Sequence, residues 1–313
     1  AKIIKGLTFK TLFSYNSDMR IDEYFLPANV QPNNGSTTQG TTSTLSISRT
    51  GIQNTLTYNT TLNKKHALEI LLGQSIDERN EFRTSLGAMD YPLESVPTLN
   101  MGATPTEASS SRTIVRTSSL FGRVNYNYAD KYLASASVRR DGSSRFGPGN
   151  RWAVFPSVSA GWMISEENFM KGASNWLSML KLRTSYGQTG NSNVGYRIYD
   201  YYEVGRSAII GGAESTGVYA SDLGNRSLTW ETTTEFNVGV DLGILNNRFK
   251  LTAEYFKRKI TDLLVTNKPL PFYNEINKIA GNIGSTQSQG VEITVNTVNI
   301  VTKDFEWDTT CLL

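Results

Sequence analysis

The feature that most constrains this chain is a period-two alternation of apolar and polar residues. It runs through long stretches and is broken by connections that alternate short and long. Successive side chains on a strand point to opposite faces, so this alternation marks strands with one apolar and one polar face. In 119–128, Leu120, Val124, Tyr126 and Tyr128 fall opposite Phe121, Arg123, Asn125 and Asn127. In 235–243, Phe236, Val238, Val240 and Leu242 alternate with Glu235, Asn237, Gly239 and Asp241. In 249–258, Leu251, Ala253 and Tyr255 alternate with Lys250, Thr252, Glu254 and Arg258. In 154–164, Val154, Val158, Ala160 and Trp162 share a face, as do Val291, Ile293 and Val295 opposite Glu292, Thr294 and Asn296 in 291–296. Similar runs cover 7–15, 55–62, 67–75, 132–140 and 180–187, and a last one begins near Phe305. The pattern predicts eleven strands and little helix.

Short connections fall at 63–66, 129–131, 244–248 and 298–304, and long polar ones at 16–54, 76–118, 141–153, 188–230 and 262–289. On the short side, 165–178 reads as a helical turn, with Ser165 as its cap, Glu166 and Glu167 in its first turn and Phe169, Met170, Trp176 and Leu177 apolar. Short turns at one end and long loops at the other describe an up-and-down antiparallel meander, the arrangement of a transmembrane β-barrel. Many runs reach the roughly 9–11 residues that cross a bilayer at a tilt. Tyr126, Tyr128, Tyr132, Trp152, Trp162 and Trp230 cluster near strand ends, where amphipathic rings favour headgroup depth. A soluble sandwich or propeller is the alternative, because one apolar face also serves as a core.

Composition narrows the chemistry. The 15 Tyr, 13 Phe and 5 Trp suit pleated surfaces. A single Cys (Cys311) and a single His (His66) leave no internal disulfide, Cys-based zinc site or multi-His centre. A net charge of +3 gives no basis for nucleic-acid binding. Asp141-Gly142-Ser143-Ser144 has no companion base and reads as a turn. Gly187-Gln188-Thr189-Gly190-Asn191 lacks the Lys-Ser/Thr pair of a phosphate loop, and its glycines read as a bend out of the sheet. His66 reads as plain surface, Cys311 as a small strand residue, and Asn246-Asn247 as a pair tolerant of left-handed geometry. No catalytic residue, cofactor or metal is expected.

Several long segments resemble the barrel of the SusC/RagA family of TonB-linked outer-membrane proteins. They are SLFGRVNYNYADKY (119–132), ASVRRDGSSRFGPGNRWAVFPSVSAGW (136–162), KLRTSYGQTGN (181–191), LTWETTTEFNVGVDLGILNNRFKLTAEYFKRKITDLL (228–264) and NIGSTQSQGVEITVNT (282–297). The resemblance implies a barrel of about 22 strands with an N-terminal plug, in the outer membrane of a Gram-negative cell. It also implies energisation by the TonB complex, a SusD-like surface lipoprotein as lid, and import of a large nutrient, glycan or peptide. No stretch of this sequence reads as a signal peptide, plug, TonB-contacting segment or closing strands. Residues 1–313 are therefore expected to be part of one barrel domain, about half its strands, forming an open curved sheet. A non-transport surface protein, an adhesin or structural module, is the alternative function.

On this reading Arg123, Asn125, Asn127, Lys181, Arg183, Asn237, Asp241, Lys250, Glu254, Arg258, Glu292 and Asn296 line the lumen, and the apolar set faces outer-membrane lipids. Arg139, Arg140, Arg145 and Arg151 read as loop arginines pairing with nearby carboxylates. Arg145 and Arg151, with Tyr196, Tyr199, Tyr201, Tyr202, Tyr219 and Tyr273, are candidates for substrate or lid contact.

Overall fold

The computed structural model describes residues 2–28, 37–210, 213–270, 276 and 278–313. Sixteen strands are formed among them: β1 (Lys2–Ile4), β2 (Leu7–Leu26), β3 (Gln39–Leu62), β4 (His66–Met89), β5 (Thr104–Tyr128), β6 (Tyr132–Ser143), β7 (Trp152–Met163), β8 (Leu177–Asn191), β9 (Tyr201–Ile210), β10 (Ala213–Asp222), β11 (Glu231–Ile244), β12 (Phe249–Thr261), β13 (Leu264–Pro269), β14 (Lys278–Asn282), β15 (Ser285–Val301) and β16 (Glu306–Leu312). Twelve make one sheet in the order β1-β2-β3-β4-β5-β6-β7-β8-β11-β12-β15-β16, while β9–β10 and β13–β14 are separate hairpins. All eleven predicted strands are present in this sheet, joined by the three-residue β1. Strand order follows chain order, and the neighbours β1–β2, β6–β7, β7–β8, β8–β11, β11–β12, β12–β15 and β15–β16 pair antiparallel.

Strand boundaries depart from the sequence reading in one consistent way. Stretches 16–54 and 76–118, read as loops, are largely strand, because β3 and β4 run 24 residues each and β5 runs 25. A strand alternates strictly only where one of its faces is apolar. Alternation fades in those stretches although the backbone ladder continues.

The chain divides into two compact units, one of residues 1–10, 54–74 and 118–313, the other of 11–53 and 75–117. In the second, Arg49 pairs with Asp18 at 3.0 Å, Arg116 with Glu78 at 2.7 Å, and the Arg112 guanidinium lies over the Phe82 ring. The Tyr91 amide donates to Thr38 Oγ1, and the Tyr91 ring meets Phe25 edge-on at 5.1 Å.

In the first unit the short turns are stitched to one another. The Ala129 amide donates to the Lys65 carbonyl, Met163 to Lys131, Leu245 to Trp176, and Val298 to Arg248, each at 2.7 Å. The turns after β3, β5 and β11 carry positive φ at Asn63 and Lys64, at Ala129 and Asp130, and at Leu245, Asn246 and Asn247. That hand matches the twist of flanking strands and permits two-residue hairpins. The 165–178 connection is two 3-10 turns, Ile164–Glu166 and Asn168–Ala173, with no side-chain cap. Ser165 does not cap it. Its organiser is Glu167, which accepts from the Tyr132 hydroxyl at 2.6 Å, Trp162 Nε1 at 3.1 Å and Lys131 Nζ at 3.2 Å.

Candidate functional site: a polar sheet face and its loop cap

The ladders show how the faces divide. Tyr132, Trp162, Leu182, Val240, Ala253 and Ile293 pair successively across β6 to β15, and one step along, so do Ala134, Ala160, Thr184, Val238, Tyr255 and Val291. Between those rows lies a polar one: Arg183 opposite Gly239, then Glu254, then Glu292. Lys181 pairs with Asp241, and Lys250 with Asn296. Asn237 stands opposite Ser185, and Arg258 opposite Glu235.

Arg183 organises this polar face. Its Nη2 lies 2.6 Å from Glu254 and its Nε 3.3 Å from Asp241, so one guanidinium joins three strands. A Cβ on Gly239 would fall 2.9 Å from Arg183 Cζ, so glycine there leaves the path across β11 open. Arg258 bonds Glu235 at 2.7 Å, Asn125 donates to Glu69 at 2.8 Å, and Arg123 lies 3.5 Å from the same carboxylate. Asn127 closes its own turn by bonding Asp130. Lys250 and Glu292 are exposed on this face. Asn125, Ser135, Ser159, Lys181, Arg183 and Asn237 line one continuous depression of ≈ 670 Å³.

Two aromatic groups bound the opposite, apolar face. At the short-turn end the Tyr128 and Tyr132 rings stack at 6.1 Å, and Tyr132 and Trp162 at 6.4 Å. His66 belongs to this row rather than to plain surface: its ring lies 4.7 Å from Tyr128, and Nδ1 shares a hydrogen bond of 2.8 Å with the Tyr126 hydroxyl. At the other end Arg140 stacks on Trp152 at 4.9 Å, and Gly142 leaves space for that indole. Trp152 and Trp162 are ten residues apart on β7, ~33 Å at about 3.3 Å per residue, or ~25 Å in height for a strand tilted about 40°. Leu120, Val124, Val158 and Val291 are exposed on the apolar face.

The long loops are not the solvated connections the sequence suggested. Phe146, Phe155, Val194, Ile198, Leu228, Trp230 and Ala280 form a buried cluster, with Phe146 and Leu228 fully enclosed. It draws on 144–151, 192–200, 223–230 and the β13–β14 hairpin. Side chains then tie the loop backbones together. Trp230 Nε1 donates to the Arg151 carbonyl at 3.1 Å, Asn225 to Ala280 at 2.9 Å, and Asn282 to both Thr229 and Asp262. The cluster is not visible in the sequence because its members come from separate loops and from β7 and meet only after folding.

The candidate loop residues divide by position. Arg145 donates to the Ser192 carbonyl and Asn193, and Arg151 to the Phe146 carbonyl. Of the arginines expected to pair with carboxylates, Arg139 does so, with Asp141 at 2.6 Å, whereas Arg140 takes the Trp152 ring. Tyr196 bonds Ser144 at 2.5 Å and stacks with Tyr199 at 6.5 Å, and the Tyr201 hydroxyl donates to the Tyr196 carbonyl. Tyr219 donates to Glu203 across the β9–β10 hairpin, where Tyr202 is exposed. Tyr273 lies outside the described residues. Gly187 and Gly190 do not bend the chain out of the sheet: both stay in register with β11, and Gly190 makes room for the Phe155 ring.

The glutamate of the short-turn end is held ionised. The Tyr132 hydroxyl, then Trp162 and Lys131, hold the Glu167 carboxyl below the usual carboxylate range. Among the described residues no group of His, Cys, Asp and Glu side chains is placed to hold a metal ion.

Comparison with known proteins gives this architecture its relatives. Residues 5–312 match the family described as TonB dependent receptor-like, beta-barrel. The TonB-dependent receptor P3 of Formosa agariphila is 34% identical over 98% of this chain, which covers 31% of that relative. The TonB-dependent receptor SusC of Bacteroides thetaiotaomicron is 42% identical over 61% of the chain and 19% of its own length. Among solved structures, the RagAB peptide transporter superposes with a TM-score of 0.88 at 26% identity, over 99% of this chain and 34% of that one. The chain thus spans about a third of the curated relatives it matches over nearly its whole length. Ten residues of strand at the usual barrel tilt span the roughly 25 Å apolar band of an outer-membrane barrel. This chain belongs to the TonB-dependent receptor β-barrel family, in its SusC/RagA branch, and is part of an integral protein of the outer membrane.

Proposed function

We propose that residues 1–313 supply about half the wall of one receptor barrel through which a bulky nutrient, an oligosaccharide or a peptide, enters the cell. The polar face, with Arg123, Asn125, Asn237, Asp241, Lys250, Glu254 and Glu292, lines the lumen, and the apolar face meets lipid. The observation that carries this reading is the Arg183 cross-link. Charged side chains span β8, β11 and β12 on one face, while the paired rows beside them carry no charged residue, only apolar and aromatic side chains and Thr184. Burying such charges in a sandwich core would be costly, whereas a wetted lumen solvates them.

The loop cap and the β9–β10 hairpin stand where a nutrient and a SusD-like lipoprotein would arrive, and the TonB complex would act through other parts of the receptor. A relative named as a peptide transporter and one named SusC support import by a receptor of this type. Exposed Tyr199, Tyr201 and Tyr202 offer ring faces to a sugar or a peptide side chain. The test replaces 203–220 by a short turn in the receptor carrying this chain and follows growth on defined oligosaccharide and peptide panels. Uptake of the receptor's nutrient should fall while outer-membrane insertion is unchanged. Undiminished uptake would remove the hairpin from nutrient binding.

A further inference from the structure

The apolar face carries a depression of ≈ 530 Å³ that lumen transport does not use. Tyr132, Trp162, Leu182 and Val238 wall it, and Ala160 and Thr184 form its floor. Ala160 lies opposite Ala134 on one side and Thr184 on the other, so small side chains sit between large ones. The Arg183 side chain is engaged on the opposite face with Asp241 and Glu254 and adds no charge here. At the short-turn rim, Tyr132 and Trp162 each donate to Glu167, whose other oxygen takes Lys131. The depression is thus apolar along the strands, and the two rings at its short-turn rim bond the Glu167 carboxylate that Lys131 also reaches, both charged groups being partly open to solvent.

We propose that this depression holds one acyl chain of a phospholipid whose zwitterionic, amine-bearing headgroup rests on the Lys131–Glu167 pair. The surface is continuous with the face that meets lipid, which makes a lipid the occupant. The rim chooses the headgroup: an ammonium with spare donors suits a phosphate, and the carboxylate beside it suits a primary amine. A net-anionic headgroup would satisfy Lys131 but meet Glu167 with like charge. The chain runs from Trp162 past Ala160, along the direction of β7.

The test is native mass spectrometry of the whole receptor, delipidated in mild detergent and titrated with phosphatidylethanolamine or phosphatidylglycerol. One phosphatidylethanolamine should be retained in preference to phosphatidylglycerol. Ala160→Trp, which fills the floor, should weaken retention about tenfold, the worth of some two buried methylenes. Val154→Trp, on the same face near the opposite rim, should leave it unchanged. Equal retention of the two lipids would overturn the proposal, as would indifference to Ala160→Trp. So would a change in oligomer mass alone, which would mean that a second copy fills the depression. If Ala160→Trp does not insert, Glu167→Gln decides: it should erase the headgroup preference, and a persisting preference would refute the site.

Discussion

Gly239 is a residue whose worth lies in what it leaves out. Glycine within a strand usually weakens it, so an added methyl is ordinarily neutral or helpful. Here the methyl meets the Arg183 guanidinium at 2.9 Å and pushes it off Glu254 and Asp241. Gly239→Ala should therefore destabilise the folded receptor, by about 1–2 kcal/mol for partly screened charged hydrogen bonds, in urea unfolding from lipid vesicles. Ala129 gives the opposite sign. It sits at φ 54°, a left-handed conformation that costs an alanine roughly 1 kcal/mol, so Ala129→Gly should stabilise by about that much. Glu167 sets a pH dependence. Its folded pKa is lowered, so its stabilisation is present above the unfolded value and is lost as pH falls through the folded one. Fluorescence of Trp162 should report a change in the short-turn end below the usual carboxylate range, absent in Glu167→Gln.

At the scale of elements, the central parts of β5 to β15 were legible because a strand with one apolar and one polar face carries strict alternation. Val238, Val240, Asn237 and Asp241 declare their faces without help. The hairpin turns were legible as short polar breaks, and Asn246-Asn247 adopts the left-handed geometry its residue types favour. What escaped were elements whose cause is not local. The outer reaches of β3, β4 and β5 carry no alternation, since neither face is apolar. The loop cap is assembled from Phe146, Val194, Leu228 and Ala280, far apart in sequence and met only after folding. Glu167 escaped too, because its three donors come from β6, β7 and the turn between β5 and β6. Leu228 is fully enclosed, so Leu228→Ala should cost the loop cap about 2–5 kcal/mol. Hydrogen exchange should speed up across 192–230 and remain slow in β11 and β12. Uniform acceleration would mean that the cap and the sheet unfold as one.

For the whole molecule, the central claim is that one face of this sheet meets lipid and the other water. Arg placed at Ala253 should destabilise the receptor by about 2–4 kcal/mol, while Arg at neighbouring Thr252 should cost well under half of that. The most direct measurement is spin-label accessibility in the receptor with Cys311→Ser. Single cysteines replace Val240, Ala253 and Ile293 on one row, and Thr252, Thr294 and Lys250 on the other face. Labels on the first three should collide with lipid-dissolved oxygen and be shielded from a water-soluble nickel complex, with the second three reversed. Six labels with the same accessibility, or the reverse assignment of the two faces, would contradict the account.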